Sequence, residues 1–159
     1  VERRDDGGGG PRQDPRSGDL RLAWTFGLGL GRSPGAGAPA LIHVVSFDID
    51  GTLEVGDPPG IVEVALVRRV QARGHLIGSA SDRPVGFQQA LWRGLGLAPA
   101  FTVLKHRLAE VRTRHAAAGY HHVGDTDVDE LLARQAGFEF WRAEPAAHRA
   151  WIARLLGPP

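Results

Sequence analysis

Leu41-Ile42-His43-Val44-Val45-Ser46-Phe47-Asp48-Ile49-Asp50-Gly51-Thr52 is the stretch on which the reading of this chain turns. Residues 41–47 are an almost unbroken apolar run rich in β-branched side chains, and it stops abruptly at Asp48. Such a run suits a strand buried on both faces, as strands of a parallel sheet are. Downstream the punctuation is regular. Val62, Leu66 and Val70 fall at helical spacing within 61–73, ahead of Gly74. Residues 75–80, 101–104, 120–123 and 138–141 read as further strands. Between and after them, 84–95, 107–118, 128–136 and 145–156 read as helices, with Pro84 near one start and Gly119 and Gly137 closing two others. Strict alternation with short links predicts an α/β, three-layer Rossmann-like domain, a five-stranded parallel sheet flanked by helices.

Composition narrows the function classes. The chain has 159 residues, enough for one core. Nineteen basic against eighteen acidic side chains give a net charge of +1, which offers no bulk case for nucleic-acid or membrane-surface binding. With no cysteine there is no disulfide scaffold, thiolate zinc site or thiol nucleophile. No apolar run reaches the length of a membrane span, and a cytoplasmic location is expected. Residues 1–40 differ from the rest. They hold ten Gly and four Pro, including Gly7-Gly8-Gly9-Gly10, and are expected to form a largely disordered tail ahead of a folded domain over 41–159. The apolar patch at 20–30 is short and follows a hydrophilic stretch, unlike a secretion signal. Eighteen of the basic residues are Arg, and Lys105 is the sole Lys. A lone ammonium in so Arg-rich a chain either marks a position where a compact charge is needed or has survived by chance.

Ligand sites of parallel α/β sheets form beyond the carboxyl ends of the strands. Just past the first predicted strand come Asp48, Asp50, Gly51 and Thr52. Ser79, Ser81, Asp82 and Arg83 follow the second, Lys105 the third, and Gly124, Asp125, Asp127 and Asp129 the fourth. Converging carboxylates repel unless a cation joins them, and hard oxygen ligands without Cys or a suitably placed His favour Mg²⁺. A lysine and a hydroxyl facing the same point would complement a substrate phosphate. Each feature alone has a plainer reading. Asp48 and Asp50 could end a strand in a turn, Asp125 to Asp129 could cap a helix, and Asp127 suits a helix N-terminus. His121 and His122, adjacent on a strand, point to opposite faces and read as ordinary strand residues. Trp92, Trp141 and Trp151 read as packing residues.

Phe47-Asp48-Ile49-Asp50-Gly51-Thr52-Leu53 resembles the first motif of the haloacid-dehalogenase-like hydrolases in its phosphatase form. A Ser at the end of the second strand, Lys105, and Gly124-Asp125-Thr126-Asp127-Val128-Asp129 follow in that family's order, so the resemblance spans roughly residues 41–143. It implies that Asp48 is a nucleophile forming an aspartyl-phosphate, and that Asp50 is the general acid and base. It further implies that Ser81 binds a phosphoryl oxygen and that Lys105 holds nucleophile and phosphate together. Asp48, the Asp50 carbonyl, Asp125 and Asp129 would hold Mg²⁺, Asp129 directly or through water. Ser79 is a second candidate for the hydroxyl. Ser81 is preferred because Ser81-Asp82-Arg83-Pro84 resembles a Thr-Gly-Arg-Pro variant of the family, although Asp82 stands where that variant has Gly. His106 stands where many relatives have Pro, and Arg83 is the basic residue best placed for substrate contact.

Spacing bears on the substrate. Asp48 and Ser81 lie 33 positions apart and Ser81 and Lys105 lie 24 apart, which leaves no room for a cap domain at either position. Residues 54–60 can form only a short flap. The site should be open, unless a second subunit covers it, to a phosphorylated metabolite or a macromolecular terminus. Two alternatives remain: a family member that has lost activity and serves as a binding module, and a phospho-receiver domain. The receiver pattern places its acceptor Asp after the third strand, where this chain has Leu104-Lys105.

Overall fold

A computed structural model describes residues 41–157. The expectations for residues 1–40 lie outside the described residues. The described chain is a five-stranded, all-parallel sheet flanked by five helices, in the strand order β3-β2-β1-β4-β5. Its strands are β1 (His43–Phe47), β2 (Leu76–Ser81), β3 (Phe101–Leu104), β4 (Gly119–Gly124) and β5 (Glu139–Arg142). The helices are α1 (Val64–Ala72), α2 (Val85–Gly94), α3 (Leu108–Arg114), α4 (Asp127–Gln135) and α5 (Pro145–Leu156). No described helix is long and apolar enough to cross a membrane.

β1 is central because its side chains are apolar on both faces. Val45 and Phe47 enter one core layer, with Val67 and Val70 of α1, Trp92 of α2, and Trp151 and Leu155 of α5. Val44 enters the other, with Leu108 and Val111 of α3 and Ala133 of α4. Trp92 and Trp151 are fully buried packing residues, and Trp92 Nε1 finds the Ser79 hydroxyl at 2.9 Å, which removes the cost of burying its N–H. The chain runs outward from β1 through β2 to β3, then crosses back to β4 and β5. The carboxyl end of β1 is therefore the topological switch point, where connections leave in opposite directions and open a crevice.

Two expected elements need correction. The helix expected over 107–118 is a 3-10 turn at Lys105–Arg107 followed by α3, which ends at Arg114. Gly119 closes no helix. It is the first residue of β4 and pairs with His43. The helix expected from residue 61 begins at Val64, because Val62 is drawn into a parallel bridge with Leu53. That bridge folds the expected flap against the end of β1. Gly51 N donates to Pro58 O (2.6 Å), Gly60 N to Leu53 O (2.8 Å), and Val64 N to Glu54 Oε1 (2.7 Å). The last bond satisfies one of the free N–H groups that open α1.

Candidate functional site

The residues past four strand ends meet in one cleft of about 250 Å³, lined by Asp48, Asp50, Gly51, Pro58, Ser81, Asp82, Lys105, Asp125 and Thr126. Asp48 is set by its backbone, whose N–H donates to Val123 O of β4 at 2.9 Å. The residue is only 4% exposed. Burial, reinforced by the charge of Asp129, pushes the Asp48 carboxyl up to about 6, against the pull of Lys105.

Lys105 follows β3 and is 5% exposed. Its Nζ lies 2.7 Å from Asp129 Oδ1, 3.2 Å from Asp82 Oδ2 and 3.5 Å from Asp48 Oδ2. Burial opposes the ammonium charge, but the hydrogen bond to Asp129 and the charges of Asp48, Asp129 and Asp82 outweigh it and keep Lys105 protonated. A buried cation without such partners would lose its proton or destabilise the fold.

Asp129 is fully buried on the first turn of α4. Its Oδ2 accepts from Thr126 N (3.0 Å) and Thr126 Oγ1 (2.7 Å), while Asp129 N donates back to Thr126 Oγ1 (3.2 Å). This capping box fixes α4 and aims Oδ1 at Lys105. Burial alone would raise the Asp129 pKa, but the His122 ring, Lys105 and Thr126 prevail and hold the carboxyl far below its ordinary range. Asp127, by contrast, is exposed on the outside of the turn and pairs with Arg142 Nη2 at 2.6 Å, away from the cleft.

Asp48, Asp125 and Asp129 each offer a carboxylate oxygen, and these oxygens lie within 4.8 Å of one another. Asp125 Oδ1 is buried and accepts no hydrogen bond among the described residues. The surrounding sequence makes room for this cluster. A Cβ at Gly51, whose φ is +70°, would sit 2.1 Å from Asp125 Oδ2, and one at Gly124 would sit 2.5 Å from Asp129 Cβ. Five carboxylates, those of Asp48, Asp50, Asp82, Asp125 and Asp129, face the cations Lys105 and Arg83. An unpaired buried carboxylate oxygen, hard oxygen donors and a local excess of negative charge fit a divalent cation such as Mg²⁺.

Asp50 is held from the outside. Arg83 Nε reaches its Oδ2 at 2.7 Å and Nη2 its Oδ1 at 3.2 Å, while Asp57 N donates to the same Oδ1 at 2.8 Å. The Arg83 hydrogen bonds hold the Asp50 carboxyl below the usual carboxylate range. Of the two serines, Ser81 lines the cleft. Ser79 Oγ is buried below it, donating to Gln88 Oε1 (2.7 Å) and accepting from Trp92 Nε1.

Three residues carry roles that no sequence pattern announces. Gln88, fully buried in α2, donates to Arg83 O (2.7 Å) and Val103 O (3.0 Å), and so ties the Ser81–Arg83 loop to β3. Its helical spacing marks only a polar residue on an inward face. Glu54 holds the start of α1. His122 stands behind Asp129, with Nδ1 3.1 Å from Ser46 Oγ and Nε2 3.7 Å from Asp129 Oδ1, a contact rather than a hydrogen bond. Strand alternation gives its face but not its neighbour.

No protein-family model matches the chain, and no curated protein matches it either.

Proposed function

We propose that the chain is a Mg²⁺-dependent phosphomonoester hydrolase of the haloacid-dehalogenase-like type, without a cap domain. The observation that carries this reading is the convergence of Asp48, Ser81, Lys105, Asp125 and Asp129 in one cleft at the switch point of a parallel sheet. Asp48 attacks phosphorus, and an Asp48–phosphoryl bond forms as the bond to the leaving oxygen breaks. Asp50 gives that oxygen its proton, then takes one from water as the water oxygen attacks phosphorus. Cleavage of the Asp48–phosphoryl bond releases phosphate and restores both carboxyl groups. Ser81 donates to a phosphoryl oxygen, and Lys105 offsets the charge of nucleophile and phosphate together. At 4 Å one such pairing of unit charges is worth roughly 4 kcal/mol at an effective dielectric of 20. Mg²⁺ held by Asp48, Asp125 and the Asp50 carbonyl, with Asp129 beside it, would supply further charge neutralisation.

The phospho-receiver reading is disfavoured because the buried, lysine-paired Asp48 follows β1, whereas β3 runs into Lys105. The test is hydrolysis of 4-nitrophenyl phosphate with Mg²⁺ or with EDTA, by the parent chain and by Asp48→Asn. Turnover that needs the metal and falls at least about 10³-fold in the variant supports the reading. Turnover that survives in Asp48→Asn overturns the nucleophile assignment. Absence of turnover alongside intact Mg²⁺ binding favours the binding-module alternative.

A further inference from the structure

We propose that Arg83 determines substrate specificity, and that the substrate carries a second anionic group on its leaving-group side which draws Arg83 away from Asp50. The proposal deepens the phosphatase reading and rests on it. Both Asp50 oxygens are engaged. One oxygen accepts from Arg83 Nε, and the other accepts from both Arg83 Nη2 and the Asp57 N–H. A general acid and base needs an oxygen free to meet the leaving group and then water. The fork-to-fork pair occupies both oxygens, so Arg83 must move aside for a leaving group or water to take the place of its N–H donors.

The geometry points to what releases the pair. Arg83 is not among the residues lining the cleft and grips Asp50 from outside it, so, with Asp50 as the group that protonates the leaving oxygen, Arg83 stands beside the leaving group. Only two of its five N–H donors are used by the Asp50 pair, and Nη1 has no partner among the described residues. The guanidinium lies 5.0 Å over the half-exposed Phe87 ring, which gives it a face to slide along as it moves outward. A planar, bidentate, solvent-accessible guanidinium is best captured by another planar or tetrahedral oxyanion. The shared chemistry is therefore a phosphomonoester whose alcohol portion bears a carboxylate or a second phosphate.

The test uses ω-carboxyalkyl phosphates of increasing length, each paired with its methyl ester, together with alkanediol bisphosphates paired with their monophosphates. The two sets separate carboxylate from phosphate as the captured group. With the full chain and Mg²⁺, the charged member of at least one pair should exceed its neutral partner by at least tenfold in kcat/KM. In Arg83→Ala the charged substrates should lose kcat/KM while the neutral ones gain kcat, so that the ratio collapses toward one. Arg83→Lys keeps the charge but not the fork, and should not restore the ratio. Calorimetric titration of Asp48→Asn with an alkyl dicarboxylate gives a readout without turnover, namely binding that disappears when Arg83→Ala is added. A ratio near one in the parent chain, or an equal loss on charged and neutral substrates in Arg83→Ala, overturns the proposal while leaving the phosphatase reading intact. If no substrate is turned over in an Asp48-dependent way, the phosphatase reading fails and this proposal falls with it.

Discussion

Lys105 faces three carboxylates, and the exposed one, Asp82, is the one whose charge competes with an incoming phosphate. An ion pair with one exposed partner is worth at most about 1 kcal/mol. Asp82→Asn should accordingly raise kcat/KM for 4-nitrophenyl phosphate by about two- to fivefold, measured by initial rates, with no loss of fold by circular dichroism. Asp48 supplies a pH signature. Its carboxyl is pushed up to about 6 in the folded chain, against an ordinary value of 3.8. Between those values the folded state holds the extra proton, so the metal-free chain loses stability as pH rises through this window. A metal ion bound through Asp48 would have to displace the same proton. Calorimetry in buffers of different ionisation enthalpy should find proton release on Mg²⁺ binding at pH 5.5 and almost none at pH 8. Equal release at both would show that Asp48 is not a ligand.

At the scale of the elements, the Thr126–Asp129 box does two jobs, closing the start of α4 and orienting a buried carboxylate. Thr126→Ala should cost roughly 1 kcal/mol of stability in urea unfolding and should weaken Mg²⁺ binding as well. A loss of stability without a loss of metal affinity would confine the box to capping. Gly51→Ala separates the two effects in the other direction. The new Cβ would overlap Asp125 Oδ2, and φ at this position is +70°, so the Mg²⁺-induced thermal shift should vanish. Elements whose signals are local were legible in the sequence. β3 and α5 fall at their expected limits, and the Asp48-Asp50 and Asp125-Asp129 motifs fall at the strand ends assigned to them. The end of α3 was not legible, because residues 115–118 have ordinary helical composition, and only the pairing of Gly119 with His43 recruits the following segment into the sheet.

At the scale of the whole molecule, the site occupies the carboxyl ends of the strands while a histidine cluster lies toward their amino ends. His43 Nδ1 meets His121 Nε2 at 2.9 Å, and His75 Nδ1 accepts from His43 N while its Nε2 meets Leu155 O. Trp141 Nε1 donates to His121 Nδ1 at 3.2 Å, and a proton placed on that nitrogen would break this bond while pairing with Glu139 Oε2, also 3.2 Å away. Burial, then the charges of His43, Arg154 and His75, push the His121 pKa down to about 4. Between about 4 and the ordinary 6.5 the unfolded chain binds more protons, so His121 makes stability fall as pH falls through that window. The full effect is on the order of 3 kcal/mol. This is opposite in sign to the Asp48 contribution. Urea midpoints measured between pH 7.5 and 5 should drop more steeply in the parent chain than in His121→Gln. Parallel profiles would remove His121 as the cause.

Hydrophobic periodicity, strand alternation and the acidic clusters settled that this chain is a parallel α/β domain with charged side chains at its strand tips, since each of these signals is carried by neighbours in the sequence. Whether those tips hold together was a tertiary matter. Asp48 and Asp129 lie 81 positions apart, and only the placing of β1 beside β4 puts both carboxylates within reach of Lys105. That Ser81 rather than Ser79 lines the cleft was decided in the same way, because alternate strand residues share a face and it took the packing of Gln88 and Trp92 to tie up the Ser79 hydroxyl. The clamp of Arg83 on Asp50, across 33 residues, leaves no periodic trace. Ion pairs between loops depend on how far apart folding sets the loops, and that distance is a property of the packed sheet rather than of either segment.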